Sequence, residues 1–116
     1  MAIQLKRVYE PAAPTDGVRI LVDRLWPRGL SKARARIHLW VKEVAPSTEL
    51  REWFGEDAGR WDEFQEKYTA ELDAQTDAVK DLVTQVRTGT VTFVFAAENE
   101  EVNNAVALKA YVEAKT

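Results

Sequence analysis

Val18-Arg19-Ile20-Leu21-Val22 and Val91-Thr92-Phe93-Val94-Phe95-Ala96-Ala97 are the two stretches that decide the fold. Both are rich in apolar and β-branched residues, which is typical of strands that a sheet buries on both faces. Strands of this kind occur in parallel sheets whose faces are covered by helices. The two stretches therefore predict an α/β fold.

Weaker patterns complete this α/β fold. Alternation of apolar and polar residues predicts a strand over 3–9 and a third strand over 37–42. Capping residues, helix breakers and apolar spacing predict five helices. The first two cover 31–36 and 48–54. The third is capped by Asp57 and has an apolar stripe from Trp61 to Leu72, the fourth lies between a Thr76 cap and Gly89, and the last covers 100–114. We expect residues 1–116 to form a single small domain, with a mainly parallel sheet of three to four strands covered by helices.

The scarcity of cysteine and histidine excludes several kinds of chemistry. The 116 residues contain no cysteine and one histidine, His38. Disulfides, iron–sulfur clusters and a thiol nucleophile are excluded, and a single histidine cannot build a zinc site with two or three histidines. A carboxylate site for magnesium or calcium remains open. We predict no cofactor and no bound metal, and we expect His38 to be a hydrogen-bonded structural residue.

The chain also lacks the signals of a membrane or secreted protein. No apolar run approaches the roughly 20 residues of a membrane span. The first residues, Met1-Ala2-Ile3-Gln4-Leu5-Lys6-Arg7, lack the basic-then-apolar order of a signal peptide. We expect a cytoplasmic protein without a membrane partner.

Charge is divided unevenly along the chain. The net charge is −3, but residues 19–42 hold seven basic residues and one acid and therefore carry +6. This basic segment could attract anions although the whole chain is acidic. Overall acidity and the lack of interleaved aromatic residues make nucleic acid an unlikely partner.

Candidate site residues follow the two strands that decide the fold. Open α/β sheets bind ligands beyond the carboxyl ends of their strands, so the loops over 23–29 and 98–104 converge if these strands are parallel neighbours. The residues that we expect to bind a ligand there are Asp23, Arg24, Trp26, Arg28, Glu98, Asn103 and Asn104.

Two interpretations of these residues stay open. In the first, Arg24 and Arg28 clamp a small anion, Trp26 covers it and Asn103 orients it, with Asp23 or Glu98 as a proton acceptor if the protein is an enzyme. In the other, the two arginines pair with Asp23 and Glu98 and only tie the loops together. Glu100 and Glu101, placed in the first turn of the last helix, would repel an anion there.

The alternative function is a non-catalytic interaction module. A homodimer or an accessory protein would use the basic segment 19–42 and exposed tryptophans as its contact surface, with nucleic acid as one partner to test. Trp61 lies on a helical stripe and is expected in the core. Trp26 and Trp53 lie in or beside loops and could line a pocket or an interface, but the pattern favours the interpretation that they cover the ends of a small core.

Several long motifs resemble one family. They are Val22-Asp23-Arg24-Leu25-Trp26-Pro27-Arg28-Gly29-Leu30, Leu39-Trp40-Val41-Lys42, Ala45-Pro46-Ser47-Thr48-Glu49-Leu50-Arg51-Glu52-Trp53-Phe54, and the later Trp61, Phe64, Tyr68 and Glu71-Leu72. On these motifs the chain resembles the YeaO-like branch of the family called domain of unknown function 488, from Arg7 to Tyr111. The resemblance implies a small cytoplasmic α/β protein and no known reaction.

The chain departs from the YeaO-like pattern near its end. That pattern reads Ala-Ala-Lys-Asp followed by His-Asn-His-Ala, whereas this chain has Ala96-Ala97-Glu98-Asn99 and then Val102-Asn103-Asn104-Ala105. Both histidines are missing. The resemblance therefore implies that any histidine-based chemistry of the family is altered or lost in this member.

Overall fold

A parallel sheet forms the centre of the computed structural model, which describes residues 2–116. Its strands are β1 (Ala2–Arg7), β2 (Val18–Leu21), β3 (Leu39–Trp40) and β4 (Thr90–Phe95), in the spatial order β1-β4-β2-β3. All three pairings are parallel. β4 lies between β1 and β2, which explains why it is buried from Val91 to Phe95. The predicted α/β fold is confirmed.

Five helices surround this sheet. They are α1 (Lys32–Ala35), α2 (Thr48–Phe54), α3 (Trp61–Asp73), α4 (Thr76–Thr88) and α5 (Asn104–Glu113), together with single 3₁₀ turns at Pro14–Asp16, Lys42–Val44 and Ala58–Arg60. The Ser47 side chain caps α2, and Gly55 ends it in the left-handed conformation, as the sequence predicts.

The two faces of the sheet are covered differently. On one face Ile20, Phe93 and Phe95 pack in a large core with side chains from α2, α3, α4 and α5. On the other face Leu21 and Val94 lie in a small core that is closed by Ala35 and the partly buried Trp26, Leu30, Ile37 and Trp40. The second face is therefore covered mainly by the segment between β2 and β3, where Trp26 has the covering role expected of it.

Several predicted boundaries are wrong, each for a local reason. The strand expected over 37–42 is only Leu39–Trp40, because a 3₁₀ turn begins at Lys42. The last helix begins at Asn104 rather than at 100, because the Asn99 side chain holds a turn by accepting from the Glu101 and Val102 backbone N–H groups.

The predicted caps of α3 and α4 also differ from the structure. Asp57 caps the 3₁₀ turn that precedes α3 rather than α3 itself. Thr76 is the first residue of α4, and the preceding Gln75 makes no capping bond through its side chain. Gly89 follows α4 as predicted, but in an extended conformation instead of the left-handed one.

Two features are absent from the described residues. Within 2–116, no helix is long and apolar enough to cross a membrane. The same residues contain no group of three or more histidine, cysteine, aspartate or glutamate side chains placed to hold a metal ion.

Candidate functional site

The carboxyl ends of β2 and β4 are joined by a polar junction made of Asp23, Ala96 and Asn104. The Val22 N–H still donates to the Val94 carbonyl at 3.2 Å, and beyond it the Asp23 carboxylate accepts from the Ala96 N–H at 2.8 Å. The Asn104 side-chain amide donates to the Val22 carbonyl at 3.1 Å and to the other Asp23 oxygen at 3.0 Å. The two loops therefore meet at the ends of neighbouring parallel strands, as expected.

A cavity of about 510 Å³ opens beside this junction, and we refer to it as the carboxyl-end cavity. Its volume lies in the range of small-molecule sites. Six of the seven predicted ligand residues line it: Asp23, Arg24, Trp26, Arg28, Asn103 and Asn104. Glu98 is exposed and is not part of the lining, so the structure does not place it with the other six.

The two predicted clamp arginines differ in their engagement. Arg24 is half-buried, and its guanidinium donates to the Pro46 carbonyl and to the Ala45 carbonyl, both at 3.2 Å. Arg28 is exposed at the cavity, and its side chain makes no hydrogen bond or ion pair with residues 2–116. The interpretation that both arginines pair with Asp23 and Glu98 is wrong. Arg24 does tie two loops together, but it does so through backbone carbonyls.

Asn103 lines the cavity, but its side-chain amide forms hydrogen bonds within the protein. Its side-chain oxygen caps α5 by accepting from the Val106 N–H at 3.0 Å, and its amide nitrogen donates to the Asn99 carbonyl at 2.9 Å. The residue is also almost fully buried. Asn103 therefore positions the start of α5, and the expectation that its amide orients a ligand has no support in this geometry.

The acidic residues expected to repel an anion lie elsewhere. Glu100 and Glu101 precede α5, are exposed and do not line the cavity. The first turn of α5 holds no acidic residue. The argument against an anion that was based on these two glutamates therefore does not apply.

Arg51 is the site residue that our sequence reasoning missed. It lies in the last turn of α2, its exposed side chain lines the cavity, and it makes no ion pair within the described part of the chain. Our sequence reasoning considered only loops after strands. The available signal was helical spacing, since Arg51 precedes the buried Phe54 by three residues and so shares its side of the helix.

The charge at the base of the cavity belongs to Asp23. Burial raises the pKa of its carboxyl, while the bonds from Asn104 and Ala96 and the positive charge of Arg51 offset part of that effect. Each Asp23 oxygen accepts one of the two bonds at the junction. Asp23 therefore places a largely buried carboxyl group at the junction, within reach of the positive charge of Arg51.

The basic segment 19–42 presents less charge than its sequence suggests. Arg19 is buried and pairs with Asp16 at 2.7 Å, and Arg24 is bound to carbonyls. Trp26 and Trp40 are half-buried, pack edge to face, and donate their indole N–H groups to the Leu30 and Asp23 carbonyls. The exposed tryptophans expected of an interaction surface are therefore not found at Trp26 and Trp40.

His38 has the structural role expected of it. It lies exposed beside β3, and its ring Nδ1 accepts from the Arg19 backbone N–H at 2.9 Å. The backbone N–H of His38 donates to the Arg19 carbonyl, also at 2.9 Å. Because Nδ1 is the acceptor, the neutral ring carries its proton on Nε2. The His38 side chain thereby extends the pairing between β2 and β3, because it supplies an acceptor for the Arg19 backbone N–H.

Comparison with known proteins identifies the family. A family model described as the inactive DUF488-N3 subclade matches residues 2–116. The uncharacterised protein YeaO of Escherichia coli K12 is 44% identical over 108 residues, which are 93% of this chain and 94% of YeaO. The uncharacterised protein Rv3073c of Mycobacterium tuberculosis H37Rv is 50% identical over 70 residues, 60% of this chain and 59% of Rv3073c. No solved structure matches. The chain belongs to the DUF488 family, in a branch that includes YeaO.

Proposed function

We propose that this protein binds a small anionic compound in the carboxyl-end cavity and does not convert it chemically. The observation that carries the proposal is the pair of exposed arginines, Arg28 and Arg51, at one cavity. Neither guanidinium has an ion-pair partner among residues 2–116. Guanidinium groups recognise carboxylates and phosphates through paired hydrogen bonds, so two of them favour an anion.

The position of the cavity supports a ligand site. It lies beyond the carboxyl ends of β2 and β4, which is where open parallel sheets bind their ligands. Glu56, which also lines it, has a φ of 57° although it is not glycine. Strained backbone of this kind clusters at functional sites, so it adds weight to this cavity.

The identity of residue 104 supports binding without catalysis. Asn104 contacts Asp23 at the position where the YeaO-like pattern carries a histidine. A carboxylate and an imidazole could move a proton together, whereas an amide cannot serve as a general acid or base at neutral pH. The description of the matching subclade as inactive agrees with this reasoning.

Titration calorimetry with charge variants tests the proposal. Phosphate, sulfate and citrate would be titrated into the protein and into Arg28→Ala, Arg51→Ala and the double variant. We expect each single variant to weaken binding about fivefold, the equivalent of about 1 kcal/mol for one charge-assisted pair, and the double variant to weaken it more than tenfold.

Arg34→Ala is the matched control, because it removes an exposed positive charge from α1, away from the cavity. It should bind like the unaltered protein. Equal affinities for all four variants, or no binding of any anion at millimolar concentration, would show that the cavity is not an anion site.

A second candidate function is contact with a polyanion through the outer part of the basic segment. Lys32, Arg34 and Arg36 are exposed on and just after α1, and this cluster is the observation that favours it. Binding to a generic oligonucleotide should then fall steeply with salt and should weaken in Arg34→Ala. No binding at 50 mM salt would remove this candidate.

A further inference from the structure

We propose, building on the proposed function, that the ligand is an anion with an apolar ring body and a hydrogen-bond donor at the end opposite its charge. The proposal stands on three features of the carboxyl-end cavity, which are its exposed arginines, its buried apolar wall and the spare acceptor capacity of Asp23.

The two arginines of the cavity that have no ion-pair partner among the described residues lie at its rim, whereas Arg24 is half-buried and bound to carbonyls. Arg28 and Arg51 are exposed, as are Leu25 and Glu56 beside them. A guanidinium at a rim can hold a carboxylate or phosphate that remains partly hydrated, so little of the ligand's charge has to be desolvated. The anionic group of the ligand therefore lies at the mouth of the cavity.

The inner wall of the cavity is apolar and aromatic. Phe54 and Phe64 are buried and stack with their ring centres 4.3 Å apart, and the buried Pro27 and Pro46 also line the cavity. A hydrated inorganic ion would gain nothing from such a wall. A ring held against these side chains gains from burial of apolar surface, and aromatic pairs add a contribution of their own.

The third feature is the Asp23 carboxylate, a hydrogen-bond acceptor that only a ligand with an N–H or O–H group can satisfy. A carboxylate can accept about four hydrogen bonds. The Asp23 carboxylate accepts one at each oxygen, from Ala96 and Asn104, and forms no ion pair with the described residues. A bare anion placed here would meet like charge, whereas an N–H or O–H on the ligand would satisfy Asp23. The donor therefore lies at the inner end of the ligand.

A matched series of four probes tests each part of this inference by calorimetry. The probes are inorganic phosphate, phenyl phosphate, 4-aminophenyl phosphate and 4-nitrophenyl phosphate. We expect phenyl phosphate to bind at least tenfold more tightly than inorganic phosphate because of the ring. We expect the 4-amino compound, which can donate to Asp23, to bind at least fivefold more tightly than the 4-nitro compound, which can only accept.

The Asp23→Asn variant tests whether the ligand's hydrogen-bond donor binds to the Asp23 carboxylate. An amide can both donate and accept, so the preference for the amino compound over the nitro compound should fall at least threefold. Asp81→Asn, an exposed aspartate on α4 that does not line the cavity, is the control and should keep the preference. The comparison of the four probes in the unaltered protein needs no variant, so the inference can be tested even if Asp23→Asn does not fold.

The outcomes separate this inference from the proposed function. If inorganic phosphate binds as tightly as phenyl phosphate, and the binding still depends on Arg28 and Arg51, the inference is wrong and the proposed function stands. Equal or weaker binding of the amino compound relative to the nitro compound contradicts the donor. If no probe binds, both the inference and the proposed function are wrong.

Discussion

Gly17 shows most directly how a single residue constrains this fold. It has a φ of 65°, and a Cβ atom built on it would lie 2.2 Å from the Thr90 carbonyl oxygen at the start of β4. Glycine is required both by the positive φ and by the close approach of the two backbones. Gly17, which directly precedes β2, is therefore also the residue at which the backbone packs against the start of β4.

The Gly17→Ala variant should lose at least about 2 kcal/mol of unfolding free energy, since the added methyl group must displace backbone. Urea denaturation measures the loss. Gly89→Ala is the control, because Gly89 is extended and no atom lies within 4 Å of its added Cβ. It should change stability by less than about 0.5 kcal/mol, and a similar loss in both variants would contradict the steric explanation.

Asp16 and Arg19 form an ion pair in which both side chains are buried. Burial by itself would raise the pKa of Asp16, but the Ala13 N–H, Lys6 and Arg19 outweigh it and the pKa is lowered. A carboxyl with a lowered pKa in the folded state stabilises the protein above its unfolded pKa. This stabilisation is lost as the pH falls through the lowered value.

The Asp16→Asn variant should therefore be about 3 kcal/mol less stable at pH 7, because Arg19 is left buried without its counter-charge. The difference from the unaltered protein should persist down to about pH 4 and shrink below it, as Asp16 itself becomes protonated. Denaturation at a series of pH values measures this. Asp57→Asn is the control, because Asp57 belongs to an exposed ion pair, and its stability should equal that of the unaltered protein at every pH. A loss of stability in Asp16→Asn that does not change with pH would contradict the link between the Asp16 pKa and stability.

At the scale of elements, α2 is held in place by α3. The Glu71 carboxylate on α3 accepts from the Ser47 backbone N–H at 2.8 Å and from the Ser47 hydroxyl at 2.6 Å, while Ser47 caps α2. The Tyr68 hydroxyl on α3 donates to the Val44 carbonyl just before this cap. Arg51 reaches the cavity from α2, so α3 determines where one of the two rim arginines lies.

The Glu71→Ala variant should lose about 1–2 kcal/mol of stability, because the Ser47 N–H loses its charged partner. It should also weaken anion binding a few-fold by loosening α2. Denaturation and calorimetry measure the two effects. Glu66→Ala, an exposed position on the same helix, should change neither. Full affinity in a destabilised Glu71→Ala would show that Arg51 does not depend on this link.

At the scale of the whole molecule, the cavity joins parts of the chain that are distant in sequence. The loop after β2, the last turn of α2, the end of β4 and the start of α5 all contribute to it. A ligand that bridges these parts binds only the folded protein. Its binding must therefore stabilise the whole fold.

A ligand at a hundred times its Kd should add about 2.7 kcal/mol of stability and raise the Tm by about 10 °C for a chain of this size. Thermal unfolding with 4-aminophenyl phosphate measures the shift. The Arg28→Ala/Arg51→Ala double variant should shift by much less at the same concentration, whereas Arg34→Ala should shift fully. Sodium chloride at equal ionic strength controls for screening, and an equal shift with salt alone would exclude specific binding.

The features of this protein that depend on local pattern could be predicted from its sequence. Burial of a strand on both faces favours a mostly apolar run, so residues 18–22 and 91–97 indicated the central strands and the loops that follow them. Helical spacing identified α3 and α4, and long motifs identified the family. These properties are visible locally because each depends on residues a few positions apart.

Which polar groups remain available for a ligand depends on contacts between parts of the chain that are distant in sequence. Arg24 is bound by carbonyls 21 and 22 residues away, and Asp23 by groups 73 and 81 residues away. The Asn103 side chain caps α5 and is not free for a ligand, whereas Arg51 lines the cavity although it lies on a helix. A hydrogen bond depends on distance in space, and the order β1-β4-β2-β3 sets those distances by placing the last strand between the first two.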